Sequence, residues 1–474
     1  MIKPRHLLCC LALFFFVFGM DLSAAPPPAK PATSPTVHFV SLEGKITSSP
    51  IVEHPCPSSI GEPELTVRVE PRFRGQTLEG IGGAFNEQGG EAITHLREKA
   101  RERMLTALFD PNEGAGLNFC RVPIGASDFA LYAWSLNDSK GDYPMTHFST
   151  RRDERYLVPF IQAARAINPA MRLHACPWSP PGWLKTTGTM TNGGQLLDRP
   201  EVYRAHALYL RKFVEGYARL GIPIDRVFVQ NEPNIERRYP TCGMPPKQMA
   251  RFVTQYLRPE FDRAGVKAEI WAGTFQEGQE TYAQDCMDLP GFRGAISGMG
   301  FQYSHPGRIR DIRMQDPSLK VMQTEAMCFD GENSRPQARL LFENIVDHFN
   351  AGCTVYTYWN MVLNETSRSA WDWRQNSLLI VDRNTGGIRW NRDFAIMALV
   401  GRTLKPGAKW VASAPSAGPN TAAFLNPDGS LAILLWNEGP RATCEIQVGT
   451  TRTRVELPAD SPCAMVLPGR LFTP

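Results

Sequence analysis

Two glutamates, each closing a short apolar run, carry the first chemistry legible in this chain. In Arg226 to Asn234, RVFVQNEPN, the run Val227, Phe228, Val229 reads as a buried strand that stops at Asn231, Glu232 and Pro233. In Lys320 to Asp330, KVMQTEAMCFD, Val321 and Met322 give way to Gln323, Thr324 and Glu325, with Gly331 just beyond. The 93 positions between Glu232 and Glu325 hold roughly two or three βα units, so the two strands can face each other across a closed barrel. The carboxyl ends of such strands form the mouth where barrel enzymes place their reacting groups. An acid facing a carboxylate across a sugar-sized cleft is the minimum equipment for glycoside hydrolysis. A separation of about 5 Å would mean a covalent, retaining mechanism rather than an inverting one. The plainer reading of each stretch is a solvated glutamate at a strand end, so the other strand ends must decide.

The elements that would position them alternate strand-like and helical runs. Strands are expected at Gly80 to Phe85, Gly116 to Pro123, Met171 to Pro177, the run ending at Glu232, Ala268 to Gly273, Gly298 to Tyr303, Val321 to Glu325 and Cys353 to Asn360. Helices are expected around Arg97 to Phe109, Asp153 to Ile167 and Glu201 to Leu220. Eight strands with intervening helices is the (β/α)₈ count, an α/β TIM barrel. Several strand ends carry groups a sugar site would use: Arg121 with Asp128 beyond it, Trp178 and Trp183, Gln302 and Tyr303, and Trp359 with Asn360. Each has a plainer alternative. Arg121 fits equally a buried cation that pairs with an acid and lowers its pKa. The tryptophans fit sugar stacking or simple loop packing. Gly82 and Gly83 lack the phosphate-loop spacing, no GxSxG elbow is present, and His174, His305 and His348 neither cluster nor form HExxH. No metal or organic cofactor is implied.

The ends of the chain read differently. Residues 1–25 resemble a cleavable signal peptide: Lys3 and Arg5, an apolar Leu7 to Phe18 stretch too short to span a bilayer, then Ser23, Ala24, Ala25. The expected product is secreted or periplasmic, without a transmembrane segment. Residues 26–36 form a Pro-rich linker, and 37–77 alternate like short strands. The same texture returns near the carboxyl end, with strands at Leu431 to Trp436, Cys444 to Val448 and Arg454 to Leu457. The expected division is a catalytic barrel over 78–395 and a β-sandwich assembled from 37–77 and 396–474.

Composition narrows the classes further. A hydrophobic fraction of 43% supports a large core, and a formal charge of +4 is too small to point to nucleic acid. Of the 11 cysteines, Cys9 and Cys10 fall in the leader. The rest are scattered without zinc spacing, so one or two disulfides at most are expected, with Cys120, Cys176 and Cys353 read as buried strand residues. Composition does not define an oligomeric state.

Taken together, LEGIGGAF, RVPIGASDF, CPWSPPGWLK, VQNEPN, QTEAM, YWNMVLNET and WDWRQNSLLIVD resemble glycoside hydrolase family 30, the family of glucosylceramidase and related β-glycosidases. The resemblance spans nearly the whole chain after the leader. It implies a (β/α)₈ barrel with an attached β-sandwich and a retaining two-glutamate mechanism, with Glu232 as acid/base, Glu325 as nucleophile and Asn231 holding the sugar 2-hydroxyl. It also places Arg121, Asp128, Trp178, Tyr303, Trp359 and Asn376 at positions that line or support the subsite of the cleaved sugar. One departure stands out: glucosylceramidase has a histidine where this chain has Gln302, which bears on sugar or aglycone preference. The implied substrate is a glycolipid or carbohydrate, glucosylceramide or a β-glucoside first, with β-1,6-glucanase or β-xylosidase activity as the nearest alternatives. A non-catalytic carbohydrate-binding protein on the same fold is the alternative from another class. Leu131, Tyr132 and Trp134, or the Arg237 to Met244 loop, are the stretches from which an apolar cleft rim could be built.

Overall fold

The polar caps on the apolar runs have a direct structural meaning: the runs are the staves of one parallel sheet, and the caps gather at one end of it. The computed structural model describes residues 35–40, 46–50, 63–276, 281–303, 306–416 and 420–471. The barrel strands are Gly80–Ala84, Phe119–Ile124, Arg172–Pro177, Arg226–Phe228, Glu269–Phe275, Gly298–Phe301, Lys320–Gln323 and Val355–Asn360; the first seven pair in parallel in chain order, and the eighth pairs with the first. Between the seventh and eighth strands, closure is carried by Thr354 N–H to Val321 O at 3.0 Å and by the Gln323 side chain accepting from Thr357 N–H at 2.7 Å. All eight expected strands are present, with ends shifted by a few residues.

Gly82 illustrates why the GIGGAF stretch is glycine-rich. A β-carbon there would lie 1.9 Å from the Phe119 carbonyl oxygen of the neighbouring strand, so the spacing reflects close strand packing rather than phosphate binding. The helices alternate with the strands as in any βα barrel. Glu98–Phe109, Leu157–Ile167 and Pro200–Arg219 match the helical expectations, the last with proline in its first turn. Arg335–Asn350 is capped by Ser334, whose side chain accepts from Gln337 N–H at 3.4 Å.

Strands from both ends of the chain interleave in one nine-stranded sheet that encloses a second core. Thr36–Val40 pairs with Ser461–Leu467, and Leu65–Thr77 lies between Lys409–Pro415 and Ala442–Val448. Val67, Val69, Val411, Ile433, Ile446 and Met465 fill that core. The sandwich is fastened to helix Arg335–Asn350 by Gln76 donating to Phe349 O at 2.6 Å, Trp410 Nε1 donating to Asn350 at 2.9 Å and an Arg335–Asp460 ion pair at 2.8 Å. The division expected at 396 falls inside helix Arg392–Thr403, so the carboxyl-terminal sandwich strands start at Lys409. A three-stranded sheet of Val362–Asn364, Leu379–Asp382 and Gly387–Trp390, unforeseen in the sequence, follows the last barrel strand.

The leader lies outside the described residues, as does most of the 26–36 linker. Among the described residues no helix is long and apolar enough to cross a membrane. All eight described cysteines, Cys120, Cys176, Cys242, Cys286, Cys328, Cys353, Cys444 and Cys463, are buried free thiols, within the expected upper bound on disulfides, while Cys56 lies outside the described residues. Buried in apolar surroundings, they act as small hydrophobes.

Candidate active site

Glu232 follows the fourth strand on a turn stitched down from both sides. Asn231 N–H donates to Pro177 O at 2.9 Å, Gln230 N–H to Gly273 O at 3.1 Å and Glu232 N–H to Thr274 O at 3.0 Å. Those bonds hold Glu232 at φ +45°, a left-handed backbone that a glutamate adopts only when its surroundings impose it. The strand itself ends at Phe228, and this forced turn, followed by Pro233, aims the side chain into the barrel mouth, where its carboxyl is almost fully buried.

Arg121, wholly buried in the second strand, is the hub. It forms a very short ion pair with Glu325, donates to Asn231 Oδ1 at 2.6 Å and reaches Thr274 Oγ1 at 3.4 Å. Gln302 completes the cluster by donating to Asn231 Oδ1 at 2.9 Å, Thr274 Oγ1 at 3.1 Å and Glu325 Oε2 at 3.2 Å. The guanidinium lies over the Trp178 ring at 4.4 Å and the Trp359 ring at 5.6 Å, and the two indoles stack at 4.9 Å. Arg121 is thus the buried cation paired with an acid, and Trp178 is part of the cation's cage. Three donors on Asn231 Oδ1 also fix the orientation of that amide, leaving its Nδ2 as the donor.

The carboxyls differ sharply in their surroundings. Burial raises Glu325 above the ordinary carboxylate value, and Arg121 pulls it back. Burial and then the charge of Glu325 push Glu232 up to about 7, opposed by the Tyr239 hydroxyl, which donates to Glu232 Oε2 at 2.9 Å. Burial and the charges of Glu325 and Glu232 raise Asp128 well above its usual range. Three carboxyls share one contacting guanidinium among the described residues, and the geometry allots it to Glu325.

The other expected residues spread around this centre. The Tyr303 hydroxyl accepts from Gln276, and its ring meets Phe329 edge-on at 5.7 Å. Asn376 Oδ1 accepts from Asn333 N–H at 2.9 Å and its backbone N–H donates to Cys328 O at 2.8 Å, which ties it to the loop after Glu325. Asn360 links Asn86 to Gln375. Trp183 packs a loop, donating to Asn137 O at 2.9 Å with Tyr143 against its ring. Of the proposed rim residues, Trp134 is buried and bonded to Glu87, while Tyr132 is 52% exposed under Arg152. His174 and His348 are buried core residues, and His305 lies outside the described residues. Among the described residues, no group of three or more His, Cys, Asp or Glu side chains is disposed to hold a metal.

Two site residues escaped the sequence reading. Thr274 sits at the end of the fifth strand, where the strand-end rule applied to WAGTF would have found it. Tyr239 arrives from the loop after Glu232, where no periodicity marks it.

A parallel barrel that brings two unequal carboxylates together at its carboxyl end defines the protein as a glycoside hydrolase. The glycosyl hydrolase family 30 TIM-barrel model matches residues 78–270, and the family's β-sandwich model matches 407–462. The chain belongs to that family. Lysosomal acid glucosylceramidase of Mus musculus is 25% identical over 401 residues, covering 79% of this chain and 77% of the mouse protein. Endo-1,6-beta-D-glucanase of Neurospora crassa is 24% identical over 446 residues, covering 89% and 92%. SrfJ from Salmonella typhimurium has the same fold, with a TM-score of 0.84, 24% identity and coverage of 92% of this chain and 99% of that one.

Proposed function

We propose that this chain is an exported, retaining β-glycosidase that cleaves β-glucosides by double displacement, with Glu325 as nucleophile and Glu232 as acid/base. The observation that carries the reading is the allocation of Arg121: it pairs with Glu325 and leaves Glu232 with a carboxyl raised to about 7. Glu325 is then ionised while Glu232 still holds its proton. Glu325 attacks the anomeric carbon as Glu232 protonates the departing oxygen. Once Glu325 is esterified its charge is gone, Glu232 loses the repulsion that kept it protonated, and as a carboxylate it activates the water that releases the sugar.

The orphan polar atoms around the pair support a polyhydroxylated ligand. Asp128 Oδ1, Trp359 Nε1, Gln302 Oε1 and Asn376 Nδ2 are buried without a protein partner, a destabilising arrangement unless something polar completes it. Asn231 Nδ2 adds a donor for the sugar 2-hydroxyl. Glucose is the leading sugar because the named activities of both relatives act on glucosyl units. The aglycone is ceramide in one of those relatives and a glucan in the other, and the Gln302 departure bears on that choice. Export rests on the leader-like residues 1–25.

The test is hydrolysis of aryl β-glucoside, β-xyloside and β-fucoside, followed by glucosylceramide and β-1,6-glucan. It compares the wild type with Glu325→Gln and follows the released anomer by NMR. Wild-type turnover giving the β-anomer first, with kcat/KM reduced on the order of 10⁴-fold or more in the variant, is the expected result. Undiminished activity in Glu325→Gln, or first release of the α-anomer, would overturn it.

A further inference from the structure

A protonated carboxyl has two oxygens, and only the one bearing the proton can deliver it to a glycosidic oxygen. At Glu232 the structure distinguishes them. Tyr239 donates its hydroxyl to Oε2 at 2.9 Å, and that phenol is 6% exposed with its ring edge-on to Trp373 at 4.5 Å. The loop that carries Tyr239 is anchored on the stretch following Trp183. Lys185, itself buried, extends Nζ to the carbonyls of Met190 at 3.0 Å and Thr241 at 2.5 Å. Thr241 N–H returns to Met190 O at 3.1 Å, and Gly243 N–H donates to Gly194 O at 2.8 Å. A buried ammonium that spends its donors on two loop carbonyls is an expensive fastening for a merely decorative loop.

Among the described residues, a handful of groups act most strongly on Glu232. Glu325 opposes it with negative charge, and Arg121 and Arg237 act with positive charge. Asp128 and Tyr303 both sense its carboxylate. Among the described residues, Tyr239 is the group hydrogen-bonded to its carboxyl. Burial and the charges of Glu232 and Asp128 hold the Tyr239 phenol far above its ordinary value, so it remains a donor throughout the working range.

We propose that Tyr239 is a positioning residue for proton transfer: by occupying Oε2 it places the transferable proton of Glu232 on Oε1, and it stabilises the carboxylate left when that proton departs. The proposal rests on Glu232 being the acid/base. In the first step the Oε1 proton passes to the leaving oxygen, the bond from that oxygen to the anomeric carbon breaks toward oxygen, and Glu325 bonds to the carbon. In the second step water attacks the anomeric carbon and returns its proton to Oε1, while the bond to Glu325 breaks. Tyr239 keeps its own proton in both steps.

The experiment measures the pH dependence of kcat/KM on an alkyl β-glycoside, whose poor leaving group makes acid assistance necessary. Tyr239→Phe removes the donor to the carboxylate, which destabilises the ionised form. The alkaline limb therefore moves to higher pH by about one unit, and kcat/KM below the limb falls about tenfold. Replacement of Tyr239 by 3-fluorotyrosine, a stronger donor of nearly the same volume, moves the limb the opposite way and covers the case in which Tyr239→Phe does not fold. Trp373→Phe disturbs the packing but not the hydroxyl and leaves the limb in place. An unmoved limb in both Tyr239 variants, or an equal movement in Trp373→Phe, would overturn the proposal. Glu232→Gln separates the two levels: if it keeps both the activity and the limb, the acid/base reading itself fails, whatever Tyr239 does.

Discussion

The two ends of the barrel both gather buried charged groups and use them in opposite ways. At the amino end, Arg226 is wholly buried and bonded to Glu79 at 2.5 Å and to Glu269 at 2.8 Å, while Arg172 joins Glu79 at 2.9 Å and Asp225 at 3.0 Å. Lys320 lies 3.6 Å from Glu269. Three cations meet three carboxylates, and burial alone would raise Glu79, yet Arg226, Thr354 and Arg172 outweigh it and bring the carboxyl down to about 2. At the carboxyl end Arg121 stands among Glu325, Glu232 and Asp128, and all three carboxyls are raised. The same chemistry, balanced, fixes charge in place; left three to one, it stores protons that can move. The difference is the physical content of the rule that one barrel face gives stability and the other catalysis.

The comparison breaks most visibly at Arg121. Arg121→Gln removes the single contacting guanidinium and should lower kcat/KM by about 10²- to 10³-fold, the loss typical of one preorganised electrostatic group. It also leaves Glu325 buried without its partner, at about 3 kcal/mol or more of unfolding free energy. The sign of the accompanying pH change is fixed: without the cation Glu325 ionises at higher pH, so the acid limb of kcat/KM moves up. A variant that lost activity with an unmoved acid limb would mean that Arg121 does not set the charge of Glu325.

The same contrast separates what the amino-acid sequence reveals from what only the fold decides. The barrel was legible because an apolar run that ends in a polar residue has one stable place in a parallel sheet, and Glu232, Glu325 and Gln302 all stand just past such ends, whereas Arg121, expected at a strand end, lies inside Phe119–Ile124. What could not be read was pairing. Arg121 and Glu325 are 204 positions apart, and only strand closure decides that Arg121 meets Glu325 rather than Glu232. Tyr239 was invisible for a different reason: its loop has no period, and its place is set by tertiary bonds from Lys185 and Thr241. The thiols could be given only an upper bound on bridges, because cysteine count says nothing about geometry.

The amino end makes a quieter prediction. Glu79→Gln should leave kcat/KM of the folded enzyme unchanged and lower the unfolding free energy at pH 7 by about 2 to 3 kcal/mol. Because the folded carboxyl is depressed to about 2, its contribution is present above the unfolded value near 4.5 and is lost as pH falls through that interval. The variant's stability should therefore converge on the wild type's under acid, as chemical denaturation at several pH values would show. Loss of activity equal to that of Arg121→Gln would erase the distinction between the two ends.

The finest test asks whether balance at the amino end depends on every charge in it. Lys320 is 53% exposed and 3.6 Å from its carboxylate, whereas Arg226 is wholly buried and bonded to both Glu79 and Glu269. An exposed ammonium at that distance gains little, since water screens it and the long side chain must be held still. Lys320→Ala should accordingly change the unfolding free energy by less than about 0.5 kcal/mol, and by less still at high salt. A loss above about 1.5 kcal/mol would mean that Glu269 depends on both cations and that the amino end is as finely poised as the site above it. A negligible change would place the balance in the buried core of the network, where Arg226 holds two carboxylates whether or not a lysine stands outside.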